Sequence, residues 1–299
     1  MLILFSLKRL TMILKIIQYI MLITSFALLF STSLSANKQN LALSLEEINF
    51  ETRFFSQQLK HISPSQYVSN KVWNQVYDLQ IPTNHPVKTI LDTIFSTSRA
   101  LCDLQSMEAA GFEPAIPQHH TQIIVTKHPA LKGYVIKAYL DVQEYHSGKP
   151  EHYFWVKRIK GAQLIKQSIK DHHYEHLLKV PQKWIYLLPD EPSPPPGYLR
   201  KMFILVAEDM NIYDAQTNEA LWGSSLVTKE LLKALYTVIT KLGLFDCAKP
   251  ANCPISSDGR IAFVDTQSYH AKHVKYQKLT PYLSPEMKRY WLKLIDDTP

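Results

Sequence analysis

Residues 243–267 read GLFDCAKPANCPISSDGRIAFVDTQ and concentrate turn, amide and carboxylate chemistry in one short unit. Gly243 closes an amphipathic run over 229–244 and is the residue type that ends a helix. A polar loop follows with Asp246, Lys249 and Asn252. Asp258-Gly259 is a tight-turn pair, and the short apolar strand over 260–264 ends in Asp265. Besides the turn residue Asp258, two carboxylates (Asp246 and Asp265), the Lys249 ammonium and an amide are thus carried on one hairpin-like unit, with Asn252 and Asp265 thirteen positions apart.

The rest of the chain supplies both periodicities. Residues 37–117 read as helical: 43–62 and 87–107 carry apolar stripes at helical spacing, and Pro64, Pro82 and Pro86 cut the region into pieces. After Pro117 the texture changes. Residues 120–127 and 134–140 read as strands around the turn at 128–133, and alternation puts Val135, Lys137 and Tyr139 on one face. A helix is expected over 153–178, with Ile159, Ala162, Ile165 and Ile169 as its stripe. Strands follow over 183–188 and 202–207, and a last helix over 284–295 starts at Ser284-Pro285. Adjacent histidines at 119–120 and 172–173 point apart on any regular element and read as surface residues.

The first 36 residues have the three-part pattern of a secretory leader: Lys8, Arg9 and Lys15, an apolar run over 16–30, and small polar residues over 31–36. Cleavage after that run and retention as an N-terminal anchor both remain open; the expectation is an exported protein that meets a membrane only through this leader. The net charge is +7, and without the three leader cations it is 30 basic against 26 acidic residues. With no dense basic run interleaved with aromatics, nucleic-acid binding is not implied. Cys102, Cys247 and Cys253 leave at least one free thiol; a 247–253 disulfide and small buried thiols are both open.

Four motifs in this order resemble the protein-kinase-like superfamily over residues 118–270. VIKAY is similar to the strand-lysine motif and implies that Lys137 holds phosphates. FILVAEDM looks like the last small-lobe strand and hinge, where the backbone from Glu208 to Met210 would meet an adenine. Residues 246–252 look like a catalytic loop with one inserted residue, and VDT looks like the metal-binding motif, with the family spacing from Asn252 to Asp265. The resemblance implies ATP with Mg²⁺ as cofactor: Asn252 and Asp265 as oxygen ligands, Asp246 and Lys249 as catalytic residues, and Gln163 as the nearest positional partner for Lys137. It implies an α+β fold with a kinase-like bilobal core. A leader (1–36) and a helical extension (37–117) precede a β-rich small lobe (118–210) and a reduced helical lobe (211–299). The sequence has no G-x-G-x-x-G loop and reads Asp-Thr-Gln at the metal motif. The alternatives are therefore a catalytically inactive pseudokinase-like protein with a protein partner outside the producing cell, or an unrelated α+β envelope protein.

Overall fold

Apolar alternation in four short runs produces a mixed α+β fold built on a small antiparallel sheet. The structure, a computed structural model, is described for residues 62–114 and 122–297, which lie in the second of two compact units, His61–Pro299. The leader and nearly all of the expected helix over 43–62 fall outside the described residues. Among the described residues no helix is long and apolar enough to cross a membrane.

Strand β1 (Ile124–Thr126) pairs with β2 (Tyr134–Ala138), β2 with β5 (Phe203–Glu208), and β5 with β4 (Lys183–Leu187), all antiparallel, in the order β1-β2-β5-β4. Helix α4 (Glu151–Asp171) runs between β2 and β4 in sequence and packs on one face of the sheet. There Trp155 and Ile159 meet Tyr139, Ile185, Phe203 and Leu205, and the Trp155 indole donates to the Phe203 carbonyl at 3.1 Å. The other face is covered by α2 (Pro86–Thr97) and α3 (Leu104–Ala109), whose Val87, Leu91, Phe95 and Met107 pack on Ile124, Ile136, Tyr186 and Ile204. A shorter helix, α1 (Asn70–Val76), adds Trp73 and Val76 to the α4 side. With apolar side chains on both faces, β5 is buried for five of its six residues.

The second core lies beyond the connecting segment 209–214. It joins α5 (Ala215–Trp222), α6 (Lys229–Leu242), a 3₁₀ stretch (Tyr276–Tyr282) and α7 (Pro285–Asp296) to the far end of α4, through Trp222, Leu235, Ile239, Phe263, Leu279 and Trp291 with Ile165 and Ile169. Helix α6 is capped by Thr228, and Gly243 ends it in the left-handed region at φ 58°; a Cβ at Gly243 would stand 2.6 Å from the Ala271 carbonyl. A two-residue parallel pair joins β3 (Leu178–Lys179) to β6 (Ile261–Ala262), and it fixes where residues 264–266 emerge.

Several expected elements change length. The helix expected over 87–107 is two helices, because Ser98 is extended and Arg99 turns inward to a buried ion pair with Asp141 before Asp103 caps α3. The helix expected over 153–178 stops at Asp171, since His173 takes a positive φ of 58° and the chain reverses into β3. The strand over 260–264 keeps only Ile261–Ala262 in its ladder, and α5 and β3 were not foreseen.

Candidate functional site

Register explains how the central side chains meet. Lys137 on β2 and Ile185 on β4 both lie opposite Leu205, and Val135 and Lys183 both lie opposite Ala207. Lys137 and Lys183 therefore share the α4 face of the sheet, two strands across and two residues along, or about 12 Å apart at the backbone. Their side chains converge over β5 on the Val264 carbonyl, at 3.3 Å from each ammonium, and Lys183 also donates to Thr266 Oγ1 at 2.8 Å.

Helix α4 closes the other side. The Arg158 side chain, 4% exposed, lies with Nε 3.6 Å from Asp265 Oδ1, and the Asp265 side chain is 30% exposed. Thr266 Oγ1 donates to the Arg158 carbonyl. Gly161 makes this approach possible, since a Cβ there would sit 1.7 Å from the Thr266 carbonyl oxygen. The resulting cluster sets Lys137, Lys183 and Arg158 around the single carboxylate of Asp265.

Its electrostatics follow from burial and like charge. Burial, then the neighbouring Arg158, pulls the Lys137 ammonium down to about 8, against the pull of Asp265. Burial, then the charge of Lys137, hold the Lys183 ammonium well below its ordinary range. Burial alone would raise the Asp265 carboxyl; Arg158, Lys137 and Lys183 outweigh it and hold it below the usual range. Despite this crowding, Arg158 Nε and Nη1, Asp265 Oδ1 and the nearby Tyr139 hydroxyl are buried without a hydrogen-bond partner. Arg158 Nε and Asp265 Oδ1 face each other just beyond hydrogen-bond length, which leaves Nη1 as the buried guanidinium donor with no acceptor near it among the described residues, and such a donor is costly.

The loop is held tightly beside it. The Val264 amide donates to the Asn252 carbonyl at 3.1 Å, so Lys137, Asn252 and Asp265 are joined through one residue. The Asn252 side-chain amide donates to the Asp246 carbonyl at 2.7 Å. Asp246 is bound by Lys249 at 2.6 Å and by Lys278 at 2.5 Å. Burial pushes its carboxyl up, but these two lysines win and lower it. Cys247, Cys253 and Cys102 are free thiols; the Cys247 thiol donates to the Asp265 carbonyl at 3.5 Å.

Two of the expected site residues stand elsewhere than the resemblance implied. Gln163 is exposed on the far side of α4, and Arg158 faces Lys137 in its stead. The Glu208 amide is committed to the Gln182 carbonyl and its carboxylate to the Gln182 amide, while the Asp209 amide binds the Gly133 carbonyl. The Met210 carbonyl accepts from Lys179 at 3.1 Å, so the Met210 amide is the donor left in this segment among the described residues. Arg158 and Lys183 were missed in the sequence. Each carried a signal: Arg158 occupies the turn between Trp155 and Ala162 on an apolar helical stripe, and Lys183 has the same strand parity as inward-facing Ile185.

A phosphate fits this donor set, because it accepts from a guanidinium and from ammoniums at once. Mg²⁺ does not. Its expected ligand Asp265 is already shared among three cations, and a divalent ion would add positive charge where negative charge is lacking. Among the described residues no three carboxylates, histidines or cysteines gather as a metal site. Comparison with models of known protein families and with curated proteins finds no match, so the cluster stands on its own geometry.

Proposed function

We propose that this chain is a kinase-like nucleotide-binding protein, exported through its leader, whose buried cationic cluster holds the phosphates of ATP. The observation that carries this reading is the buried Arg158 guanidinium, which makes no side-chain hydrogen bond with Nε or Nη1, beside the Lys137 and Lys183 side chains. The order of elements supports it: β1, β2, α4, β4 and β5 form a small lobe with one helix, segment 209–214 is the hinge, and α5 to α7 form a reduced helical lobe. In this arrangement Lys137, Lys183 and Arg158 bind phosphate oxygens, Asp265 orients Arg158, and the Met210 amide meets the base. ATP supplies a transferable phosphate when bound, but the roles derived for these residues are binding and orientation.

A second reading, a catalytically inactive pseudokinase-like protein that acts on a protein partner outside the producing cell, is favoured by the hold of Arg158 on Asp265. The test of nucleotide binding is thermal unfolding of the full chain with ATP, in buffers with and without divalent cation. A ligand at a hundredfold excess over its Kd stabilises the folded state by about 2.7 kcal/mol. A rise in the midpoint that is lost in Lys183→Met is expected; an unchanged midpoint in every buffer refutes the reading.

A further inference from the structure

We propose that the cluster binds its nucleotide as the free, unchelated polyphosphate, with Lys137, Lys183 and Arg158 providing the neutralisation that a divalent cation would otherwise supply. This rests on the nucleotide reading above.

The donors decide the sign of the ligand. Arg158 is enclosed, and its Nε and Nη1 lack acceptors. A metal ion offers them nothing, whereas the oxygens of a polyphosphate accept from guanidinium N–H groups on different edges of the side chain. Each lysine ammonium has three donors. Lys137 spends one on Val264, and Lys183 spends two, on Val264 and Thr266. Both lysines keep capacity for a further acceptor. Asp265 keeps 30% of its side chain exposed but turns Oδ1 inward. It sits against Arg158, and its carboxyl is held ionised by all three cations. Chelation of ATP by a divalent cation halves the negative charge these groups can answer, and so removes much of the attraction.

The cluster also has a positioning logic. Arg158 and Gly161 are one helical turn apart on α4, and Gly161 lets the Thr266 carbonyl touch the helix. The arginine is thus seated against the segment that carries Asp265, and the anion site is built by contact between α4, the sheet and residues 264–266.

The experiment is thermal unfolding and calorimetric titration of the full chain with ATP, first in excess EDTA and then in excess MgCl₂. Binding about tenfold tighter in EDTA than in MgCl₂ is expected, from the lost Coulomb attraction to the chelated form. Arg158→Gln should abolish binding in EDTA, and Arg158→Lys should restore part of it; far-UV circular dichroism and the ligand-free midpoint report whether each variant folds. The wild-type comparison needs no variant. Binding that requires MgCl₂ overturns the inference and leaves the nucleotide reading standing. Binding in neither buffer overturns both.

Discussion

Replacing Lys137 by Met should make the ligand-free protein more stable while removing its response to ATP. Lys137 is enclosed beside Arg158 with Asp265 to offset it, and burial, then Arg158, pull its pKa from 10.5 down to about 8. A shift of that size corresponds to about 3 kcal/mol of penalty for holding the ammonium charged. Part of the side chain remains open to solvent, which screens the interaction, so a gain of about 1–2 kcal/mol is the reasonable expectation. Met keeps the unbranched shape, and the Val264 carbonyl keeps Lys183 as its donor. For a unit of this size that gain is a midpoint rise of about 2–8 °C. The pH dependence is diagnostic. The folded pKa lies below the unfolded one, so between about 8 and 10.5 the unfolded chain binds more protons, and wild-type stability rises with pH across that window. Below about 8 the full penalty is present. The advantage of Lys137→Met should therefore be greatest at neutral pH and shrink toward pH 10, as read by urea denaturation at each pH. A variant less stable than wild type by about 1 kcal/mol or more at pH 7, or a constant difference across pH, would refute the picture of an unsatisfied cationic cluster.

Three further outcomes follow from the packing. Gly161→Ala gains about 1 kcal/mol of helix propensity but drives a methyl into the Thr266 carbonyl; a net loss of about 2–3 kcal/mol in urea denaturation is expected, with weaker ATP binding. Arg99→Met takes both side-chain hydrogen bonds from the fully buried Asp141 carboxylate, leaving it the Lys201 amide and the more distant Lys201 charge, and should cost about 3–5 kcal/mol by the same assay. Thiol titration of the native protein should modify half-buried Cys102 first, slowly because burial raises its thiol, with Cys247 and Cys253 reacting only on unfolding.

The periodic parts of the sequence were legible because one residue pattern decides them. Helix α6, with Thr228 before it and Gly243 after it, and α7, capped by Ser284 and opened by Pro285, lie within a residue or two of their expected bounds. Asp246, Lys249 and Asn252 are close in sequence, and hydrogen bonds join them in one loop, to which the strand residue before Asp265 is held by the Val264 amide. Tertiary choices were not visible. The break after Thr97 depends on Arg99 finding Asp141 forty-two residues away. The partner of Lys137 depends on which face of α4 meets the sheet; spacing favoured Gln163, whereas burial of Trp155, Ile159 and Ala162 turns Gln163 outward and Arg158 inward. A charged residue on an apolar stripe is readable as an anomaly, but its partner is set by strand register, which no local pattern fixes.

The state of Asp246 bears on what the proposed nucleotide site could do. A general base works best with a pKa near the working pH, so that it is both ionised and able to take a proton. Asp246 is held the other way: both its oxygens are paired, with Lys249 and Lys278, and the carboxyl is lowered. Asp265 is likewise kept ionised and turned to Arg158. The carboxylates that the resemblance would assign to proton transfer and metal binding are thus each engaged by protein cations, and the donors that remain unmatched belong to Arg158 and the lysines around it. On the proposed nucleotide reading, such an arrangement would hold a polyphosphate without activating an acceptor. If phosphate transfer does occur, Lys278→Ala should raise its rate by freeing one Asp246 oxygen; if the site only holds nucleotide, that variant should leave ATP affinity unchanged within about twofold and yield no transferred phosphate in a radiolabel assay.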